Sequence, residues 1–246
     1  GRGGTRHHMN VPPDSIIPVS EVDLRLVAEP HPFAVAHQEA AARHWHEERA
    51  ANPNLFDGEV ALFSGVTCKD GILSARCHIV RYSTFLYWRT IRPVPDVTHI
   101  FAHAMLVSSD GALVPVKMSV RTVNPGQVYF AAGSFEPIDI VGGRVDPVRN
   151  MHREVSEETG IDLTQVQHEP DFYALSKGSG MVLFRRYFLE QTANEIAGSI
   201  AAHVASEADP EIDGDYIIRN VDGIPEQTPL HMPDMVRWHF GPPAAI

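Results

Sequence analysis

One nine-residue stretch of this chain, REVSEETGI from Arg153 to Ile161, restricts its local structure more than any other. At about 100° per residue, a helix through this stretch places three carboxylates on one face. Those carboxylates belong to Glu154, Glu157 and Glu158. Apolar residues of the same segment fall on the adjoining side and form a stripe suited to packing: Val148, Met151 and Val155. The sequence therefore predicts a helix over about 147–159 with one buried side and one acidic side.

The acidic side of this helix has the chemistry of a divalent-cation site. Three neighbouring carboxylates repel one another unless a cation or a proton lies between them. Mg²⁺ prefers oxygen ligands of this kind and keeps positions open for water and phosphate groups. Arg153, one turn before Glu157, can hold a carboxylate in place through a bidentate contact. Two adjacent glutamates on a helix most often belong to a solvent-exposed face with no site. The choice between such a face and a metal site therefore depends on the complete order of residues in the stretch.

That order, Arg, Glu, apolar, any, Glu, Glu, any, Gly, apolar, resembles the second half of the signature of the Nudix hydrolase family. Residues 153–161 match every specified position of that half. The resemblance implies a Nudix-type α/β/α sandwich with a mixed sheet. It also implies hydrolysis of a diphosphate linkage in a nucleoside diphosphate derivative. Glu154, Glu157 and Glu158 would be the metal ligands for Mg²⁺, with Mn²⁺ as a substitute. Glu157, Glu158 and Arg153 would have catalytic roles.

The first half of the signature departs from the family pattern, which has a glycine, five residues, a glutamate and seven residues before the arginine. The preferred alignment takes Gly133 as the glycine and Asp139 in place of the glutamate, followed by thirteen residues. The strand-like sequence QVYFAAG, which ends at Gly133, favours this alignment over a rival one on Gly143 that has no acidic match. We therefore expect Gly133 to contact the substrate, within a lengthened loop over 133–148.

Two later segments offer additional site residues. The segment SEADPEIDGD, 206–215, is rich in carboxylates, and many family members take a general base or a further metal ligand from a later acidic loop. Here Glu211 is the first expectation for a catalytic residue and Glu207 the second, with a solvated acidic loop as the alternative. Arg185 and Arg186 alternate faces on a predicted strand, so at most one faces the site. Arg186 is the expected substrate contact, with a surface charge as the alternative.

Two other patterns predict no functional site. His44 and His46 are two residues apart on a predicted helix and point away from each other, so zinc binding is not expected there. The run Lys177-Gly178-Ser179-Gly180 lacks the spacing of a phosphate-binding loop and is predicted to be a turn between strands.

Composition excludes several classes of partner. The net charge of -11 argues against binding to nucleic acid, which would need clustered lysine and arginine. No apolar run approaches the roughly 20 residues that span a bilayer, and no signal-peptide pattern is present.

The two cysteines are not expected to pair. A turn at Asp70-Gly71 would place Cys68 opposite Leu73 and Cys77 opposite Ser64, so no disulfide is expected. Two free thiols indicate a cytoplasmic protein.

The chain is predicted to have three parts: a tag-like remnant and lead-in over 1–18, an α+β accessory region over 19–95, and a Nudix domain over 96–246. Two prolines in Arg92-Pro93-Val94-Pro95 mark the boundary. The accessory region reads as a helix over 32–51, strands over 59–67 and 72–82, and a short helix over 83–89. The domain reads as strands over 99–109, 112–120, 127–133, 172–174, 181–189 and 216–219, with helices over 147–159, 194–206 and 232–240.

The substrate is less constrained than the reaction. Markers of the ADP-ribose, diadenosine-polyphosphate, NADH and coenzyme A subfamilies are missing, and the added amino-terminal layer resembles members that act on nucleotide sugars. Two other functions stay open: a non-catalytic regulatory module that binds a nucleotide, and an isomerase of the isopentenyl diphosphate type. The isomerase would need a cysteine in the core domain, whereas both cysteines precede it. Many family members are dimers, so a homodimer is one expectation.

Overall fold

The computed structural model describes residues 11–241, and the tag-like segment at 1–9 lies outside them. The helices of this part are α1 (Pro32–Ala36), α2 (Gln38–Ala51), α3 (Tyr82–Ile91), α4 (Pro147–Thr159), α5 (Ala193–Ser206) and α6 (Met232–Phe240). The strands are β1 (Ile16–Val19), β2 (Glu21–Leu26), β3 (Glu59–Lys69), β4 (Ile72–Arg81), β5 (His99–Val107), β6 (Val116–Met118), β7 (Val128–Tyr129), β8 (Ile140–Val141), β9 (Arg144–Val145), β10 (Gln167–His168), β11 (Phe172–Lys177), β12 (Gly180–Phe188) and β13 (Ile212–Asp215). None of these helices is both long enough and apolar enough to span a bilayer.

The central sheet is mixed, and helices cover both of its faces. β11 and β12 are antiparallel, and β5 runs parallel to β12 on the other side. β1 extends the sheet beside β11. On one face Tyr187 reaches α4, with 3.6 Å between its hydroxyl oxygen and the sulfur of Met151. On the other face Trp238 of α6 packs on Tyr173 and Phe184, with ring centroids 4.6 and 5.3 Å apart. The predicted α/β class is confirmed.

A second sheet, ordered β3-β4-β2-β9-β8, is built mainly from the amino-terminal region. β3 and β4 form the predicted hairpin, and the positive φ angles of Asp70 and Gly71, 53° and 77°, suit its two-residue turn. α1 and α3 pack on this sheet through a buried cluster that includes Phe33, Leu62 and Trp88. The single helix predicted over 32–51 is interrupted at His37, whose φ of -116° and ψ of 21° are not helical.

The cysteines lie on this hairpin and are free, as expected. Cys68 lies opposite Leu73, but Cys77 lies opposite Phe63 and not Ser64. The predicted facing residue of Cys77 is therefore wrong. The cause is a β-bulge between Ser64 and Thr67, which shifts the register by one residue.

A third, small sheet contains β13, β6 and β7 in that order. Its strands are shorter than the sequence predicts over 112–120 and 127–133. The last strand is also displaced: it was expected over 216–219 and lies at Ile212–Asp215. This segment has the polar sequence IDGD, and its pairing with β6 compensates for its weak strand propensity. Ile218 forms only an isolated bridge with Leu113.

The lengthened loop over 133–148 is ordered by its own secondary structure. It contains a 3-10 turn, Pro137–Asp139, followed by a hairpin of β8 and β9. Gly142 and Gly143 form the hairpin turn with φ angles of 59° and 77°, which a two-residue turn of this type requires. β9 then pairs with β2 through Arg144 and Arg25. The loop is thereby tied to the amino-terminal sheet.

The predicted boundary at 92–95 falls between α3 and β5. Strand pairs cross it, because β1 belongs to the central sheet and β2 pairs with β9. One hydrophobic core also contains residues from both sides, among them Leu24, Phe63, Ile100 and Val155. The division of the chain at this boundary stays a prediction.

Candidate functional site

Helix α4 holds the acidic residues, and it begins and ends where the sequence predicts. Asp146 caps its first turn by accepting a hydrogen bond from the backbone N–H of Arg149 at 3.1 Å. Gly160 ends the helix with a φ of 76°, in the left-handed region that favours glycine. Met151 and Val155 are fully buried. The apolar side of the helix is therefore anchored in the core, and this fixes the direction of the acidic side.

Arg153 connects α4 to the lengthened loop. Its Nη2 lies 2.9 and 2.8 Å from the two carboxylate oxygens of Asp139, and its Nη1 lies 2.9 Å from Oε1 of Glu154. Glu136 and Glu157 are more distant, at 3.4 and 3.9 Å. Arg153 thus holds two carboxylates, and Asp139 occupies the position that the preferred alignment gives to the signature's first acidic residue.

Asp139 is fully buried and has further partners. The Nδ2 of Asn150 donates to its Oδ2 at 3.0 Å, and the backbone N–H of Glu136 donates to the same oxygen at 3.0 Å. A buried carboxylate with an arginine and two neutral donors is well satisfied. Its role in this geometry is to position Arg153 and α4.

Glu154 packs directly against the backbone of Gly133. A methyl group added at Gly133 would lie 2.4 to 2.8 Å from the carboxyl atoms of Glu154, so either the glutamate side chain or the loop would have to move. Burial raises the pKa of Glu154 to about 7, and the negative charges of Glu157, Glu211 and Glu136 act in the same direction against Arg153. Gly133 therefore contributes space for a carboxylate.

Glu158 is the most constrained of the three glutamates, with 7% of its surface exposed. Burial raises its pKa well above the usual range, and the charges of Glu154 and Glu211 raise it further. The backbone of Ala132 hydrogen-bonds its carboxylate, and the side chain of Glu211 lies within hydrogen-bonding reach. When both carboxylates are ionised, neither has a proton to donate to the other. Oε2 of Glu158 then has no hydrogen-bond partner among residues 11–241.

Glu157 and Glu211 complete the group from the solvent side. The side chain of Glu157 is 61% exposed. Glu211 is also exposed and immediately precedes β13, where its carbonyl accepts a hydrogen bond from the N–H of Ser119 at 2.9 Å. The pairing of β13 with β6 thus carries the first-choice residue of the acidic loop to the glutamates of α4. Glu207, the second choice, lies at the end of α5, where its carboxylate is 3.4 Å from His203.

Arg186 is engaged elsewhere. Its Nε and Nη2 donate to the two carboxylate oxygens of Glu169, both at 2.9 Å, and its guanidinium lies 4.4 Å from the ring of Trp238. Arg185 is buried and donates to the hydroxyl of Tyr187. The contacts of Arg186 therefore do not include the acidic side of α4, and its role in substrate binding stays a prediction.

Three neighbours of the site were not identified from the sequence: Glu136, Asn150 and Tyr129. The pKa of Tyr129 is raised to about 12 by burial, with added contributions from Glu158 and Glu211. Of the three, only Glu136 could have been identified from its place in the sequence, since it lies in the lengthened loop and directly precedes a proline. Asn150 and Tyr129 join the site through tertiary contacts that no local pattern encodes.

The acidic group has the donor chemistry of a Mg²⁺ site. Within residues 11–241, no set of three or more His, Cys, Asp and Glu side chains is already arranged to hold a metal ion. The carboxylates are nonetheless hard oxygen ligands, and the mutual repulsion of their ionised forms would be relieved by a divalent cation. The chemistry of these residues, without a preformed arrangement, suits such an ion.

No protein-family model and no curated protein matches the sequence. Among solved structures, the chain is similar to DR0079 from Deinococcus radiodurans, whose structure was determined at 1.9 Å. The two are 12% identical, and the alignment covers 73% of this chain and 99% of that one with a TM-score of 0.43. A TM-score at this level does not assign a shared fold.

Proposed function

We propose that this protein is a metal-dependent hydrolase that cleaves a diphosphate linkage in a nucleoside diphosphate derivative. The observation that supports it best is the buried Glu158, whose carboxyl group lies beside those of Glu154 and Glu211, so that three acidic groups share a site largely shielded from water. Such an arrangement is costly for folding unless it serves a ligand. A cation bound by these oxygens and by a diphosphate is the ligand that fits the charge.

In this proposal Glu154, Glu157 and Glu158 would hold Mg²⁺, which, when bound, would lower the pKa of a water molecule and offset charge on the phosphoryl oxygens. Arg153 keeps the carboxylate of Glu154 in place through its 2.9 Å contact. The oxygen of the water attacks one phosphorus, the bond from that phosphorus to the bridging oxygen breaks, and Glu211 accepts the proton of the water. The products are two monophosphate groups, one of them on the nucleoside.

The substrate class follows from the proposed site chemistry and from the resemblance. A diphosphate would supply oxygens to a metal ion held at the acidic group, and a nucleotide sugar is one derivative that carries such a linkage. Both cysteines lie on β3 and β4 of the amino-terminal sheet, and burial raises the pKa of both thiols. No specific observation favours the isomerase. A nucleotide-binding module without turnover is the alternative that the first experiment addresses.

The test is a screen over nucleoside diphosphate derivatives, nucleotide sugars included, in Mg²⁺ or Mn²⁺. An added phosphatase releases inorganic phosphate from the monophosphate products but not from the intact substrate, so phosphate release reports hydrolysis of the diphosphate linkage. Wild type is compared with Glu157→Gln, Glu158→Gln and Glu47→Gln, an exposed residue of α2 that serves as the matched control. We expect Glu158→Gln to reduce turnover by about 10²-fold or more, and the control to leave it unchanged.

Mn²⁺ binding, followed by electron paramagnetic resonance, gives a readout that does not depend on turnover. We expect Glu158→Gln to weaken it at least tenfold. If wild type hydrolyses no derivative yet binds one tightly, the enzyme proposal fails and a binding module is the better account. If the Gln variants retain full turnover, the site assignment is wrong.

A further inference from the structure

A line of aromatic and imidazole side chains lies close to the acidic group and has no role in the proposed hydrolysis. We name it the aromatic stripe, and it consists of His99, Phe101, His103, Tyr129 and His231. The first three alternate along β5, so they share one face of the strand. The intervening residues Ile100 and Ala102 are fully buried on the opposite face. The stripe thus lies on the side of the sheet that carries α6, with His99 and Phe101 partly exposed and the other three residues buried.

The rings of the stripe are in contact from end to end. His99 and Phe101 stack with centroids 5.0 Å apart and an interplanar angle of 27°. Phe101 lies 5.4 Å from His103 and 5.1 Å from His231. His103 and His231 are 4.7 Å apart, and Tyr129 stacks on His103 at 6.0 Å. Flat heteroaromatic molecules bind on surfaces of this kind because the π-faces of the rings stack.

Two nitrogen atoms of the stripe lack partners. Among the described residues, Nδ1 of His103 and Nε2 of His231 are buried without a hydrogen bond. These two residues are 1% and 9% exposed. A buried polar atom without a partner calls for an explanation, and an absent ligand that donates or accepts is one.

Burial also keeps the imidazoles of the stripe uncharged at neutral pH. It lowers the pKa of His99 to about 3 and that of His231 to about 4, and it lowers that of His103 well below its usual value. Neutral imidazoles bind phosphate weakly, whereas each presents one donor and one acceptor nitrogen. The heteroaromatic bases of nucleotides carry complementary donors and acceptors along their edges.

The stripe and the acidic group are joined by three consecutive residues. Ala132 hydrogen-bonds Glu158 through its backbone, and Gly133 touches Glu154. The hydroxyl of Ser134 lies 3.0 Å from Nε2 of His99. All three residues are partly exposed, as are His99 and Phe101. Residues 132–134 therefore place the stripe next to the acidic group.

From these contacts we infer that the aromatic stripe binds the heteroaromatic base of the nucleotide, with Phe101 stacking on the base and His103 and His231 hydrogen-bonding its edge. The inference rests on the proposed function for the orientation of the ligand, but it concerns the base alone. It also gives the amino-terminal region a part in the site, because Phe85 of α3 packs on His99 at 4.8 Å.

The inference is tested by binding and not by turnover. Calorimetric titration compares adenosine 5′-monophosphate and uridine 5′-monophosphate with ribose 5-phosphate, which has the sugar phosphate without a base. The variants are His231→Phe, which keeps a ring and removes the nitrogen, and Phe101→Leu, which removes the stacking surface. His46→Phe, on the exposed side of α2, is the matched control, and a melting curve of each variant confirms folding.

We expect at least one nucleoside monophosphate to bind wild type at least tenfold more tightly than ribose 5-phosphate. We also expect His231→Phe and Phe101→Leu each to weaken that binding about tenfold, with no effect on ribose 5-phosphate. Equal binding of ligands with and without a base, or binding unchanged in both variants, overturns the inference. Base binding without any hydrolysis overturns only the proposed function, and hydrolysis indifferent to the base overturns only the present inference.

Discussion

At the scale of single residues, Glu154 couples protonation to folding. Its pKa is about 7 in the folded protein, above its usual value of 4.5, because burial and neighbouring carboxylates disfavour the charged form. The folded state therefore binds the proton more tightly than the unfolded chain does. The stability that this group contributes is fully present below about pH 4.5 and is lost as pH rises through about 7.

This linkage predicts the behaviour of Glu154→Gln, which removes the titrating group. We expect the free energy of unfolding of the variant, relative to wild type, to rise by up to about 3 kcal/mol between pH 4.5 and pH 8 in metal-free buffer. Urea unfolding at several pH values measures it, with Glu47→Gln as a control that should show no trend. A constant difference between variant and wild type across this range would contradict the burial of the charge.

The close approach of Gly133 to Glu154 leads to a second prediction at the residue scale. An added methyl group at Gly133 would lie 2.4 Å from Oε1 of Glu154, so Gly133→Ala must displace either the loop or the carboxylate. We expect a loss of about 1 to 3 kcal/mol in stability and a loss of Mn²⁺ affinity. Gly198→Ala in α5 is the control, because nothing lies within 4 Å of the added methyl group. That control should stabilise the helix by about 0.5 to 1 kcal/mol, and a neutral Gly133→Ala would be evidence against the close approach.

At the scale of elements, the contact between Asp139 and Arg153 joins the 3-10 turn of the lengthened loop to α4. Asp139 is fully buried, so removing its charge leaves Arg153 without its principal partner. We expect Asp139→Asn to lower the free energy of unfolding by about 3 kcal/mol and to reduce turnover by releasing Glu154. Chemical denaturation and the phosphate-release assay measure the two effects. The exposed pair of Arg219 and Asp110, 3.1 Å apart, offers Arg219→Gln as a control, with an expected change under 1 kcal/mol.

Elements with complete local signals could be predicted from the sequence, and elements that depend on distant partners could not. α4 and α6 have the predicted bounds because each segment carries an apolar stripe, Asp146 and Gly160 cap the ends of α4, and Gly241 follows α6. β8 and β9 have two residues each, and they form because two glycines close a turn next to β2. The polar β13 is likewise stabilised by its neighbour β6.

The candidate site likewise contains some residues that the sequence could place together and others that it could not. The glutamates of α4 follow from one helical repeat, so residues 153–161 were sufficient to place them together. Glu211 could be ranked only as one of several carboxylates in a loop, since its approach to Glu158 depends on the register of β13 on β6. The sequence could not predict the aromatic stripe beyond the alternation of its residues in β5, because His231 and Tyr129 lie outside that strand and reach it only in the folded chain.

At the scale of the whole molecule, the amino-terminal region contributes structure that the predicted domain lacks. β1 forms the edge of the central sheet through four residue pairs with β11. Leu24 and Phe63 are fully buried in the core that also contains Ile100 and Val155. Removing 11–95 would expose these apolar surfaces and leave the outer edge of β11 unpaired. Both changes disfavour folding and promote association between copies.

We therefore expect residues 96–246, expressed alone, to lack a cooperative thermal transition and to form aggregates in size-exclusion chromatography. Coexpression with residues 1–95 should restore a folded complex, because the missing strand and core residues would then be supplied in trans. Circular dichroism of each preparation measures the outcome. A monomeric fragment 96–246 with a cooperative transition would instead show that the boundary at 92–95 separates independent folding units, and that β1 and the shared core contribute little to the stability of the central sheet.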